Sequence, residues 1–128
     1  MKTSELMDVA LKAGDILLRS GAEIYRVEDT IMRIFDSYNM ECECFVLLTG
    51  IFISAKDKSG ENITYLKRLK GHTINLYRIE LVNSFSRGLQ DNKMTYEEAV
   101  KILDDIEKNP SYSFSVRLAI AGLTAFIY

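Results

Sequence analysis

The sequence predicts an α+β fold: two N-terminal helices, a small antiparallel sheet of about three strands, two further helices, then the start of a hydrophobic C-terminal helix. Three observations support this order. Apolar residues recur every three or four positions in two stretches, residues 4–38 and 73–108, which is typical of amphipathic helices. Side-chain character alternates from residue 41 onward, which is typical of a strand. The final stretch, residues 118–128, carries no charge.

The first two helices are predicted at about residues 4–20 and 22–38. Ser4 is a candidate N-cap for the first helix, and Gly21 separates the two helices. Asn39 marks the end of the second. The apolar positions form one face in each helix: Leu6, Val9, Ala10, Ala13, Leu17 and Leu18, then Ile24, Val27, Ile31, Ile34 and Phe35.

The sheet is predicted over residues 41–70. The alternating segment passes into an apolar run that ends at Ile53 and that Gly50 interrupts at a turn or bulge. The segment Asp57-Lys58-Ser59-Gly60 is typical of a hairpin turn, and residues 63–69 supply the returning strand. Together these features indicate an antiparallel meander.

Helices resume after Gly71. Thr73 is a candidate cap for a helix with the apolar stripe Leu76, Ile79, Val82, Phe85 and Leu89. Thr95 and Glu98 form a capping box at the start of the next helix, because each side chain can bond to the backbone N–H of the other residue. That helix has the apolar face Ala99, Ile102, Leu103 and Ile106, and it ends before Asn109-Pro110.

Composition excludes several classes of function. With 16 basic and 18 acidic residues the net charge is −2, too balanced for a typical nucleic-acid-binding domain. Cys42 and Cys44 point to one face of a strand, and His72 is the only other soft ligand, whereas a thiolate metal site needs about four ligands. We therefore expect no metal and no cofactor, small apolar packing for the cysteines, and a surface turn for His72.

The two ends of the chain differ in character. The N-terminus lacks the basic segment and long apolar core of a signal peptide, which favours the cytosol. At the other end, Arg117 is followed by the apolar residues 118–128, fewer than the ~20 residues needed to cross a bilayer. They are either the start of a transmembrane helix or a buried C-terminal helix. We expect a domain at residues 1–110, then a connector and helix start at 111–128.

A polar stripe on the second helix is the first candidate site. Glu23, Arg26, Thr30 and Arg33 share one side of that helix, and Glu28 lies off the stripe. One interpretation is a solvated face with ion pairs worth roughly 0.2–0.5 kcal/mol each. The other is a polar strip that faces the sheet or a partner, in which Arg26 holds a carboxylate and Glu23 holds an amine.

The segment Leu48-Thr49-Gly50-Ile51 is the second candidate. Glycine within a strand lets a ligand or another backbone approach closely, and the Thr49 hydroxyl can bond to such a ligand. The structural alternative is a bulge. A loose basic cluster follows, which is typical of a solvated face: Lys67, Arg68, Lys70, His72 and Arg78.

These motifs resemble the threonine/serine exporter (ThrE-like) family of bacterial membrane transporters. Members often have proline before the threonine of the second motif, where this chain has Leu48. The resemblance covers nearly the whole chain and rests on Gly21-Ala22-Glu23, Arg26-Val27-Glu28, Thr30, Arg33-Ile34, Thr49-Gly50-Ile51, Asn75-Leu76 with Arg78, and the segment Arg117 to Tyr128.

The resemblance implies a cytoplasmic N-terminal domain that precedes a multi-helix membrane domain in the bacterial plasma membrane. It implies export of small hydrophilic solutes such as threonine and serine, and in some relatives a transporter split into two subunits. The implied partners are the lipid bilayer through the C-terminal helix, the membrane domain or a companion subunit, a small solute and a second copy of the chain. Lys101, Lys108 and Arg117 precede the apolar run, as the positive-inside rule requires for a cytoplasmic N-terminus.

Three functional hypotheses follow. In the first, the chain is part of a transporter, not an enzyme, and the positions that contact solute, partner subunit or membrane domain are Glu23, Arg26, Glu28, Thr30 and Thr49. In the second, the domain is a binding or regulatory module that gates or assembles the membrane part. In the third, Glu23 and Glu28 form a hydrolase-like site, although no base–nucleophile pair is visible.

Overall fold

A computed structural model describes residues 1–108, and the predicted C-terminal helix within residues 111–128 lies outside this range. The predicted α+β order is confirmed. The elements are α1 (Thr3–Arg19), α2 (Ile24–Ser37), β1 (Cys42–Leu47), β2 (Gly50–Lys56), β3 (Asn62–Arg68), α3 (Leu76–Asp91) and α4 (Tyr96–Lys108). None of the four helices is both long enough and apolar enough to cross a membrane.

Helix starts follow local hydrogen bonding. The capping box of α4 is confirmed, since Glu98 Oε1 accepts from Thr95 N at 3.0 Å and Thr95 Oγ1 accepts from Glu98 N at 3.3 Å. The other two predicted caps are wrong. Lys2, not Ser4, is the N-cap of α1, and the N-cap of α3 is Asn75, whose Oδ1 accepts from Arg78 N at 3.1 Å.

The three-stranded antiparallel meander is also confirmed, with the order β1-β2-β3. Leu47 pairs with Gly50, so the β1–β2 turn contains only Leu48 and Thr49, and Gly50 begins β2 in regular register. Phe45 pairs with Phe52, which in turn pairs with Leu66 on β3. These three side chains therefore form one row across the outer face of the sheet.

The core lies between the inner face of the sheet and the helices. Helix α1 contacts α2, α3, α4, β2 and β3, and its side chains are buried around most of its circumference. The sheet contributes Val46, Ile51, Ile53 and Ala55. The predicted apolar stripe of α3 begins too early, because Leu76 is 73% exposed and the buried face starts at Leu81.

Hydrogen bonds and an ion pair gather several element ends at one end of the domain. The Thr49 carbonyl accepts from Leu69 N at 2.9 Å, and the Arg19 carbonyl accepts from Thr73 N at 2.8 Å. Arg19 also forms an ion pair with Glu107 near the end of α4. We call this region the exit end, because α4, the last helix described, ends there, and define it as residues 15–26, 47–50, 66–76 and 107–108.

The opposite end of the domain contains the remaining connections. Tyr38 Oη donates to the Met94 carbonyl at 2.8 Å, and Thr3 Oγ1 donates to Met40 Sδ at 3.7 Å. The hairpin turn that begins at Asp57 lies beside the start of α1. We call this region the far end and define it as residues 1–5, 38–43, 56–62 and 92–98.

Candidate functional site

Glu23 and Arg26 lie exposed where α2 begins, at the exit end. Gly21 has a φ of +99°, a conformation that glycine adopts without strain, and it turns the chain between α1 and α2. Glu23 is the N-cap of α2, and its Oε1 accepts from Tyr25 Oη at 3.3 Å. Within residues 1–108 no ion pair involves Arg26, so its guanidinium is available to an anion.

The polar stripe of α2 does not stay on one surface. Thr30 is only 1% exposed, and its Oγ1 donates to the Arg26 carbonyl at 2.9 Å. Arg33 forms an exposed ion pair with Asp29 at 2.9 Å. The structure thus leaves Glu23 and Arg26 open, while Thr30 is enclosed within the fold.

Glu28 connects α2 to the sheet. Its Oε2 accepts from Val46 N at 3.2 Å. Since β1 is an edge strand, this carboxylate satisfies a backbone donor that the ladder with β2 leaves open. Glu23 and Glu28 are five positions apart, about 140° around a helix axis, so they do not form the carboxylate pair that the hydrolase hypothesis requires.

Thr49 is exposed at the tip of the β1–β2 turn. The neighbouring Gly50 is explained by backbone contact, because a Cβ at this position would lie 2.8 Å from the Lys67 carbonyl oxygen. Of the alternatives raised by the sequence, close approach of another backbone is therefore the one observed. The Thr49 hydroxyl remains on the surface, at the same end of the domain as Glu23 and Arg26.

The cysteines lie on the inner side of β1 as half-buried side chains that pack against the core. Burial raises the pKa of Cys42 to about 12 and that of Cys44 to about 11, with nearby carboxylates adding to both shifts. Both groups are thus thiols at neutral pH, which makes them poor nucleophiles. His72 is exposed in the loop between β3 and α3, and the part of the chain that the structure describes contains no cluster of three or more metal-ligating side chains.

A charged cluster at the exit end escaped the sequence analysis. Asp15 Oδ2 lies 3.0 Å from Arg19 Nη2 and 3.8 Å from Lys67 Nζ, and Arg19 also pairs with Glu107. Burial lowers the pKa of the Arg19 guanidinium, but the two carboxylates outweigh this effect and raise it overall. The available signal was a carboxylate at Asp15 within an apolar helix, four residues before an arginine.

An apolar groove on the outer face of the sheet was also missed. It encloses about 490 Å³ and is lined by the row Phe45, Phe52 and Leu66, with Thr49 and Arg68 among the other lining residues. Sequence alternation placed one face of β1 inward, but it could not show that the opposite face also carries large apolar side chains in register.

Comparison with known proteins adds a family assignment. The model of the family described as "Putative threonine/serine exporter" (ThrE) matches residues 8–128. A search of curated proteins and a search of solved structures found no match.

Proposed function

The chain belongs to the threonine/serine exporter family of membrane transporters, and on this basis we propose that residues 1–110 form its cytoplasmic domain. Residues 111–128 form a connector and the start of a transmembrane helix. The whole protein exports small hydrophilic solutes, such as threonine and serine, across the bacterial plasma membrane. The domain acts by contacting solute, a companion subunit or a second copy, or the membrane domain, through the open side chains of Glu23, Arg26 and Thr49. Glu28 and Thr30 support this surface by holding α2 in place through their bonds to Val46 N and the Arg26 carbonyl.

One observation carries this proposal: α4 ends beside the open polar residues. Arg19 joins Glu107 to the end of α1, and α2 begins a few residues later with Glu23 and Arg26. The chain that continues toward the apolar run therefore leaves the domain close to these side chains. A membrane domain that follows the connector has Glu23 and Arg26 among its charged neighbours.

The test is solute efflux by cells that produce the full-length protein with Arg26→Ala or Glu23→Ala. If these residues hold the solute carboxylate and amine, each change removes a charge-assisted hydrogen bond and weakens apparent affinity about tenfold or more. The matched controls are Lys58→Ala and Glu97→Ala, which remove exposed charges of the same sign at the far end. Unchanged efflux by both exit-end variants, at normal membrane levels, would show that the assigned role is wrong.

A second candidate function, subunit assembly or gating, is supported by the outer face of the sheet. The groove along Phe45, Phe52 and Leu66 presents large exposed apolar side chains, a composition typical of protein interfaces. Leu66→Asp places a charge in this row and is expected to abolish assembly. Thr64→Asp, on the same face and strand, is the matched control.

Calorimetry on the full-length protein in detergent separates the two functions. Heat on addition of threonine or serine that is lost in Arg26→Ala supports the solute-binding role. Heat only on addition of the companion subunit, lost in Leu66→Asp but kept in Thr64→Asp, supports the assembly role instead.

A further inference from the structure

Exposed apolar side chains are concentrated at the exit end, on separate structural elements. Leu48 in the β1–β2 turn is 64% exposed, Ile74 in the loop before α3 is 78% exposed, and Leu76 at the start of α3 is 73% exposed. The loop is held against the end of α1, because Asn75 N donates to the Ser20 carbonyl at 2.9 Å. Three exposed apolar side chains thus lie on three short segments at the same end of the domain.

Basic side chains lie among these apolar ones. Arg68 ends β3 and Lys70 follows in the same loop, and both are exposed. Within residues 1–108 neither takes part in an ion pair. Of the three carboxylates at this end, those of Asp15 and Glu107 pair with Arg19 or Lys67 and that of Glu23 accepts from Tyr25 Oη, so none of them neutralises Arg68 or Lys70. Projecting apolar groups beside unneutralised cations complement an anionic lipid surface.

The far end has the opposite character. Acidic residues outnumber basic ones there: Glu5, Glu41, Glu43, Asp57, Glu61, Glu97 and Glu98 against Lys2, Lys56, Lys58 and Lys93. An anionic membrane surface repels this end and attracts the exit end. Charge therefore orients the domain even before any apolar contact forms.

The length of the connector brings the exit end close to the apolar run. The nine residues from Asn109 to Arg117 separate the end of α4 from Leu118. Fully extended, they span at most about 30 Å. The far end lies about 25 Å beyond the exit end, because the 17-residue helix α1 that connects the two ends has about this length. If residues 118–128 enter a bilayer, the exit end is thus held within reach of its headgroups.

We propose that the exit end of this domain docks on the anionic headgroup layer of the membrane, with Leu48, Ile74 and Leu76 entering the interface and Arg68 and Lys70 contacting lipid phosphates. This inference rests on the proposed function, because it requires that residues 118–128 insert into the bilayer. Docking fixes the orientation of Glu23 and Arg26 relative to the membrane. It thereby positions the candidate solute-binding residues over the following membrane domain.

The experiment places a fluorescent label on the full chain reconstituted in vesicles of phosphatidylethanolamine and phosphatidylglycerol. Cys42 and Cys44 are replaced by alanine, and one cysteine is introduced by Ile74→Cys, by Ser59→Cys at the far end, or by Ala121→Cys in the apolar run. A headgroup-attached quencher and a water-soluble quencher are compared at each label. We expect position 74 to be quenched by the lipid-attached quencher and protected from the aqueous one, and position 59 to show the reverse.

The outcomes separate the inference from the function on which it rests. The label at position 121 is also tested with a quencher attached to the lipid acyl chain. If neither this quencher nor the headgroup-attached one quenches it, the apolar run does not insert, and the proposed function fails. If position 121 inserts but position 74 behaves like position 59, the docking proposal fails alone. If position 74 is protected from both quenchers, a protein surface covers the exit end, and docking on lipid is again excluded.

Charge variants test the recognition of anionic lipid. Arg68→Gln with Lys70→Gln is expected to weaken docking about 25-fold, since each basic residue near an anionic surface contributes about a five-fold factor. Lys56→Gln with Lys58→Gln, exposed at the far end, is the matched control and leaves quenching unchanged. Vesicles of phosphatidylcholine alone should reproduce the loss. Equal quenching in both lipid compositions would contradict the proposal.

Discussion

The two ends of the domain are held together by different interactions. At the exit end, Asp15, Arg19, Lys67 and Glu107 form a partly buried network of ion pairs that joins α1, β3 and α4. At the far end the tertiary connections include neutral hydrogen bonds, above all those between Tyr38 Oη and the Met94 backbone at 2.8 and 3.0 Å. Ion pairs thus join elements at the exit end in addition to backbone hydrogen bonds, whereas the far end is joined by hydrogen bonds, of which the one from Tyr96 Oη to Asp8 has a charged acceptor.

This difference indicates what each end is for. A buried ion pair contributes little net stability, because the cost of removing charges from water offsets much of their attraction. Its stronger effect is to fix the relative position of the groups that it joins. At the exit end the fixed element is the end of α4, from which the chain continues. The far end contains none of Glu23, Arg26 and Thr49, and its bonds join α2 to the loop between α3 and α4.

The largest expected effect is at the exit end. Asp15→Ala leaves Arg19 and Lys67 without the carboxylate that both face, and the Asp15 side chain is only 10% exposed. Loss of one partner from such a cluster is expected to lower the free energy of unfolding by about 3 kcal/mol. The measurement is urea unfolding followed by circular dichroism. Asp29→Ala, which breaks the exposed pair with Arg33, should cost less than about 0.5 kcal/mol. Equal losses would contradict the contrast between buried and exposed pairs.

The next effect is at the far end. Tyr38→Phe removes a hydroxyl that both donates to the Met94 carbonyl and accepts from Met94 N, and is expected to cost about 1–3 kcal/mol in unfolding free energy. Tyr25→Phe, whose hydroxyl makes one exposed bond to Glu23, is the matched control and should cost little.

Burial of the Tyr38 phenol predicts that its contribution to stability depends on pH. Burial, with a contribution from Glu98, raises the pKa of the Tyr38 phenol above its ordinary value, although the bond to Met94 opposes this shift. Because the folded pKa is the higher one, the associated stability is fully present below the unfolded pKa of about 10 and is lost as pH rises through the folded value. The difference between wild type and Tyr38→Phe should therefore shrink in alkaline solution. A difference that grows with pH would contradict the assignment.

Much of the fold could be predicted from periodicity and capping chemistry. The capping box at Thr95 is encoded by two residues three positions apart, and the meander by alternation and a turn sequence, so both are local properties. The N-cap of α3 could not be predicted in the same way. Thr73 and Asn75 are both N-cap residue types, and where the helix begins depends on how the loop is held against the end of α1, through Thr73 N to the Arg19 carbonyl and Asn75 N to the Ser20 carbonyl, contacts 54 and 55 positions apart in the sequence.

The candidate site was predictable only in part, for the same reason. Helical spacing predicted Glu23, Arg26 and Thr30 on one side of α2, but it could not show that Thr30 would be covered while Arg26 stays open. The Asp15 cluster and the Phe45–Phe52–Leu66 row each join residues from several elements. Such sites depend on tertiary contacts and strand register, which no single stretch of sequence specifies.

The smallest expected effect compares two exposed threonines at opposite ends. Thr95→Ala removes a hydroxyl that accepts from Glu98 N, and should lower the unfolding free energy by about 1 kcal/mol, as measured by thermal unfolding. Thr49→Ala removes a side chain that makes no hydrogen bond within residues 1–108, and should change stability by less than about 0.5 kcal/mol. A loss of solute efflux in Thr49→Ala at unchanged stability would then reflect binding at the exit end, whereas an equal loss in Thr95→Ala would indicate that efflux follows stability at either end.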